Sequence, residues 1–214
     1  MRLPEPKVRS TPKPYHPFHW HIDRCEQLPL PRSLEFAAER RSHREFSCPS
    51  LHSLSTLLWH VARRQESLLS PEGFDLHLRP VPSAGAIHPV HVLIEHPIDR
   101  TWTRYNPLSH TLDHLTASSA FPSIRDVAKI YVDPGAGALI AFVAEPGLTD
   151  AKYEDSASLV WRDAGVLQGA FALLAPQANL VSCLLGLSGN CFASDLGKQG
   201  QLIGTGMAIL GSTR

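Results

Sequence analysis

The chain has 214 residues, 43% of them hydrophobic, and its 20 lysines and arginines are balanced by 20 aspartates and glutamates. That length can bury one full core, and a formal net charge of zero offers no electrostatic footprint for a polyanion, so nucleic acid is not an expected partner. No apolar run approaches the roughly 20 residues needed to span a bilayer, the N-terminus lacks the apolar centre of a secretory signal, and Cys25, Cys48, Cys183 and Cys191 show no Cys-x-x-Cys spacing. These features point to a reducing cytoplasm and to no membrane role of the chain's own.

Residues 1–32 contain Pro4, Pro6, Pro12, Pro14, Pro17, Pro29 and Pro31, a density that rules out a long helix and favours an extended N-terminal arm. Within it, His16, His19 and His21 could gather around Zn²⁺ with Asp23 or Cys25 as a fourth ligand. Packing of Tyr15, Phe18 and Trp20 on a neighbouring subunit is the other reading of the arm. The remainder, 33–214, reads as a single domain. A helix candidate beginning near Ser33 leads into Glu39-Arg40-Arg41-Ser42-His43-Arg44-Glu45-Phe46. If the chain runs extended after Arg40, the two-residue period puts Arg40, Ser42 and Arg44 on one side, a grip suited to phosphate. An exposed basic helix end would show the same composition.

Leu51, Leu54, Leu57, Leu58 and Val61 recur at helical spacing and predict an amphipathic helix over 53–64, followed by a loop over 66–81. Pro82-Ser83-Ala84-Gly85-Ala86-Ile87-His88-Pro89 then brackets small residues between two prolines, so that backbone groups can approach a flat ligand closely. Strands are expected at 90–95 and 102–105, joined by a turn around Pro97 and Asp99, with a hairpin over Tyr105-Asn106-Pro107-Leu108-Ser109-His110-Thr111-Leu112. The apolar run 139–144 fits a strand buried on both faces. Asp150-Ala151-Lys152-Tyr153-Glu154 opens a long helix, 157–174, with Asp163 to Ala170 at its middle and Pro176 at its end. Val181 to Leu185 is another strand, Ser194 is a candidate cap for a helix to Leu202, and 207–210 forms the last strand. The loop Leu185-Gly186-Leu187-Ser188-Gly189 has glycines suited either to turn geometry or to presenting a backbone N–H. Cys183 is expected to pack in the core. Without a Gly-x-Gly-x-x-Gly after a first strand, a Rossmann domain is excluded. The alternation of elements gives a mixed sheet flanked by helices.

The order of these motifs, over about residues 33–211, resembles the nitroreductase superfamily and its SagB-type branch. The cradle at Pro82, Ser83, Ala84 and Gly85 is similar to that branch's flavin-contacting segment, and Arg40-Arg41-Ser42-His43-Arg44-Glu45-Phe46 to the family's Arg-Arg-Ser-x-Arg-x-Phe entry motif. The resemblance implies an α+β fold that binds FMN as an intertwined homodimer, the cradle of one subunit and the arginine segment of the other sharing each flavin. It implies catalytic roles for Lys152 and Tyr153, which match a Lys-Tyr pair of azoline dehydrogenases, with hydride transfer at flavin N5 and a thiazoline or oxazoline in a modified peptide as substrate. Leu185 and Gly186 would bring a backbone donor to N5, and Arg214 or Lys198 would supply a late basic residue to the phosphate. Val166 and Gly169 depart from the histidine and asparagine common in that branch, and the C-terminal part is shortened. NAD(P)H-dependent nitro or quinone reduction, and a non-catalytic flavin-fold scaffold among peptide-modifying enzymes, are the alternatives. The sequence names neither the substrate nor the electron acceptor.

Overall fold

The computed structural model describes residues 40–69, 75–115, 121–196 and 200–212. The N-terminal arm with its histidines, the helix expected from Ser33, Lys198 and Arg214 lie outside the described residues. Helix α1 (Leu51–Ala62) starts where Ser50 Oγ accepts the backbone N–H of Ser53 at 3.0 Å, a cap that satisfies one of the otherwise open donors of the first turn. Its Leu54, Leu57, Leu58 and Val61 point into the core as their spacing predicts.

The stretch read as a loop over 66–81 contains a hairpin instead, β1 (Glu66–Leu69) paired antiparallel with β2 (Asp75–Leu78). The physical reason for the miss is weak burial: Leu76 is covered but Leu68 and Leu78 remain exposed, so the alternation that marks a half-buried strand is faint. After the cradle come β3 (Val90–Glu95), β4 (Trp102–Asn106) and β5 (Thr111–His114). Helix α2 (Phe121–Lys129) leads to β6 (Ala138–Ala144), buried at all seven positions. A short helix α3 (Pro146–Asp150) and the long α4 (Ala157–Leu174) follow, then β7 (Val181–Leu185), α5 (Asn190–Leu196) and β8 (Ile203–Gly211). Pro176 opens a 3₁₀ turn just past α4, and Asn179 takes a left-handed conformation that lets the chain reverse into β7. Ser194 is not a cap. It lies inside α5, which begins earlier, where Ser188 Oγ accepts the Asn190 N–H at 3.3 Å.

The six-stranded sheet has the order β5-β4-β3-β6-β8-β7. Every pairing between its strands is antiparallel. The mixed character expected from the alternation of elements is confined to one isolated parallel bridge, Ser42 with Ser182. Central β6 reads as a continuous apolar run because both faces are covered, not because its neighbours run parallel. One face packs Ile140 and Phe142 with α1 and with Val160, Ala164 and Phe171 of α4; the other packs Leu139, Ala141 and Val143 with Phe46, Ile124 and Phe192. A bulge at Phe142/Val143 leaves Thr205 without a cross-strand partner. Its hydroxyl donates to the Phe142 carbonyl at 2.9 Å, and Gln168 of α4 donates its amide to the Thr205 carbonyl at 3.1 Å.

The carboxylate of Glu95, at the far end of β3, is buried and receives Arg125, Arg100 and the Leu139 N–H. The same arginines donate to the Gly135, Ala136 and Gly137 carbonyls, so one buried charge ties the entry of β6 to β3 and α2. Removing one partner of such a cluster strands the others. Glu95→Ala should lower the unfolding free energy by about 3–5 kcal/mol, read from urea unfolding curves; an unchanged midpoint would show that the cluster adds no net stability.

Candidate functional site

The cradle folds into a tight turn before β3. Ser83 is extended, residues 84–86 form a 3₁₀ turn, and Gly85, Ala86 and His88 all have left-handed backbones, with φ of 61°, 58° and 51°. Two of these three are not glycine, so the turn holds strain that its surroundings must offset. The offset comes from Asp163. Its carboxylate accepts the Ser83 hydroxyl at 2.5 Å and the Ala84 N–H at 3.1 and 3.2 Å, while Ser83 Oγ accepts the His88 N–H at 2.9 Å. Because Asp163 sits on α4, the turn is fixed to the longest rigid element of the fold. The sequence pattern assigns Asp163 no role; the signal it offers is a carboxylate in the middle of a largely apolar helix.

Lys152 and Tyr153 do not open α4. They close α3, their N–H groups and that of Ala151 bonding back to the Thr149 and Gly147 carbonyls. Both side chains are half-buried. This turn brings them onto the cradle: a Cβ on Gly85 would stand 2.7 Å from Tyr153 Oη and 3.4 Å from Cδ and Cε of Lys152. Gly85 is therefore required twice, by its φ and by the pair that rests on it. Pro82 and Gly85 are exposed, and Ser83 and Ala84 are half-buried.

The arginine segment lies elsewhere. Arg40, Arg41, Ser42 and Arg44 are exposed, and the chain runs extended along the outer edge of β7, where the His43 N–H donates to the Ser182 carbonyl at 3.1 Å. Arg44 turns to the Cys183 sulfur at 2.7 Å. Cys183 is buried as expected, and that burial pushes its thiol pKa up. Phe46 then crosses the end of the sheet against Gly137 and Gly211, neither of which has room for a Cβ. The cradle stands at the opposite end, where Val90 pairs with Ala144. Between these ends β6 advances by six residue steps, about 20 Å. The two motifs also belong to opposite faces, Phe46 packing with Leu139 and Cys183, and Val81 and Val90 with α1 and α4. One chain does not bring them together.

The Leu185–Gly186 loop leaves β7 at the cradle's end of the sheet. Gly186 is exposed, with open space where a Cβ would be, so its backbone is accessible. Gly204 allows the loop to close: the Ser188 carbonyl and the Gly189–Asn190 peptide occupy the place of its side chain, and its N–H donates to Asn190 Oδ1 at 2.9 Å.

Comparison with solved structures identifies the fold. A protein from Ralstonia eutropha JMP134 described as a nitroreductase superposes with a TM-score of 0.65 at 22% identity, over 91% of this chain and 87% of that one. The chain has the nitroreductase fold. A chain of the E. coli microcin synthetase McbBCD complex, solved with truncated pro-MccB17 bound, matches with a TM-score of 0.63 at 15% identity, over 92% of this chain and 79% of that one. An Anabaena variabilis nitroreductase-fold protein matches at 0.61 and 23% identity, over 74% of this chain but 34% of its own length. No family profile matches the sequence, and no curated protein does.

Two outcomes follow from the cradle's geometry. Gly85→Ala should displace Tyr153 and cost about 1 kcal/mol or more through its positive φ, seen as a lower thermal midpoint; an unaltered midpoint would mean that the turn relaxes freely. His88, held by burial and by the charge of Arg79, has its imidazole pKa lowered to about 3. The unfolded chain then binds a proton near pH 6.5 that the folded chain refuses, so this contribution is present above about pH 6.5 and is lost as pH falls toward 3. His88→Asn, which tolerates the left-handed backbone, should flatten the pH dependence of stability over that range, measured by urea unfolding at stepped pH.

Proposed function

We propose that the chain is an FMN-dependent oxidoreductase that works as a homodimer and oxidises thiazoline or oxazoline rings of a modified peptide to azoles. The observation that carries this reading is the seating of Lys152 and Tyr153 on Gly85, which joins the two motifs nearest to the chemistry although they are far apart in sequence. A side-chain-poor turn with a left-handed glycine fits the approach of a flat ring. Arg40, Ser42 and Arg44, with Arg41 beside them, fit a phosphate.

The separation of cradle and arginine segment bears on how these residues would serve one ligand. Opposite ends and opposite faces of the sheet in one chain become halves of a single site when a second copy contributes the other half. The outward face of α4 suits that contact: Gly165 and Gly169 have nothing within 4 Å of a Cβ position, and Val166 and Leu173 are exposed. Leu185 and Gly186 would offer the backbone donor at the ring, and Arg214, beyond the described residues, a further cation for the phosphate.

FMN, when bound, supplies a two-electron acceptor for the hydride that leaves the azoline ring. Aromatisation also releases a proton from the neighbouring ring carbon. Lys152, seated on the cradle, would be the base that takes it, and the Tyr153 hydroxyl would donate a hydrogen bond to charge that develops on the ring. Asp163, by holding Ser83 and Ala84, would keep the turn on which both groups rest in place. The McbBCD match supports a peptide substrate, and a cytoplasmic setting among peptide-modifying enzymes accords with it. Among the described residues no helix is long and apolar enough to cross a membrane.

Purified protein should be yellow and elute as a dimer. Gly85→Val alone and Arg44→Ala combined with Arg40→Ala should each lose flavin, while the two chains co-expressed should regain about a quarter of the flavin of wild type, because about half of randomly paired dimers are mixed and each mixed dimer holds one intact site of its two. Recovery of none would overturn the shared site. Lys152→Ala should keep flavin and lose azoline oxidation by at least about 100-fold. Loss confined to azolines, with NAD(P)H-driven nitro or quinone reduction as the main activity of wild type, would replace this substrate; a colourless protein that takes up no FMN would leave a scaffold.

A further inference from the structure

Arg79 is not accounted for by the flavin reading. It follows β2 directly and enters the space behind the cradle, between α1 and α4, with Ser83, His88 and Asp163 around it and Val61 and Leu167 forming an apolar wall. Its Nε is shielded from solvent and has no hydrogen-bond partner. Among the described residues no carboxylate pairs with it: Asp163 is engaged by Ser83 and Ala84, Glu145 by His91, and Glu95 by Arg100 and Arg125. Burial lowers its pKa to about 10, which leaves the guanidinium charged at neutral pH. A half-buried guanidinium with a shielded, unpartnered Nε and no counter-ion among the described residues is unfavourable, and a bound anion would satisfy both needs.

We propose that Arg79 anchors a site for a single carboxylate, on a small ligand or on the substrate itself, in the void behind the cradle. The void is small, with about 20 Å³ open to a water-sized group, so only the carboxylate head would enter it and the substituent would stay at the mouth. A guanidinium fork matches a planar carboxylate, and the neutral His88 ring adds donor capacity without adding charge. The negative charge of Asp163 in the same wall opposes a dianion, which disfavours phosphate. Assignment of the carboxylate to the azoline substrate rests on the flavin reading; the existence of the site does not.

Trifluoroacetate is the probe. Its ¹⁹F line should broaden with the full-length protein and sharpen again on adding acetate but not chloride at equal ionic strength. Arg79→Gln should bind it about tenfold to a hundredfold more weakly, the loss expected for one charged hydrogen-bonding partner, and Arg79→Lys should keep part of the affinity. Acetate should likewise raise the thermal midpoint of wild type above that in chloride. No broadening and no acetate-specific rise in wild type would overturn the site whether or not the variants fold; equal broadening by a folded Arg79→Gln would do the same. The source is separated by a thiazoline dipeptide and its C-terminal amide. A KM at least about tenfold higher for the amide, in wild type and not in Arg79→Gln, marks the substrate's own carboxylate; equal KM values with the probe still bound mark a free monocarboxylate. Probe binding by a protein that takes no flavin would sink the flavin reading and leave this site standing.

Discussion

The contact on which the rest of the site depends is a carboxylate in the middle of a helix. Asp163 holds the Ser83 hydroxyl and the Ala84 N–H, and through Ser83 the N–H of His88, so three consecutive requirements of a strained turn are met from one side chain. Without it, Ala86 and His88 would have little reason to keep left-handed backbones. Hydrogen bonds to a charged acceptor are about twice as strong as neutral ones, which suits a turn that must stay put while carrying exposed backbone.

Rigidity then passes outward by packing. α4 is fixed to the sheet by Phe171 edge-on to Phe142 and by Gln168, which crosses to the bulge in β8 and fills the space that Gly206 leaves. The cradle, the Lys152–Tyr153 turn and the Leu185–Gly186 loop all leave the sheet at one end, where β6 finishes and β3 begins. The Glu95 cluster secures the other end, beside Phe46 and the arginine segment. The molecule thus has two ends, each with its own polar clamp, joined by an apolar sheet.

Much of this was legible in the sequence. α4 is legible to the residue because Pro176 and the apolar run define both ends, and β6 to within one residue, the expected 139–144 against Ala138–Ala144, because its buried positions leave an unbroken signal. The tight turn at 82–89 is legible because small residues between prolines favour one. What escaped was whatever depends on partners distant in sequence. Asp163 is one charged residue in a helix until Ser83 is placed beside it. Likewise Arg79 lay in a stretch read as loop, since the β1–β2 hairpin buries too little to show a two-residue period. The helix that Ser194 is expected to cap starts five residues sooner, at Asn190, where Ser188 accepts the N–H of Asn190. Antiparallel pairing was hidden for a simpler reason: a strand covered on both faces has the same composition whichever way its neighbours run.

The two margins of the sheet differ from its interior in a way that limits how copies of the chain can associate. β5 is four residues long and carries Asp113 and His114, and the outer rim of β7 is already taken in part by the Ser42–His43 segment. Neither margin offers the long, unpaired ladder onto which a foreign strand could zip. Among the described residues, edge-to-edge addition of further strands thereby finds little purchase at either margin.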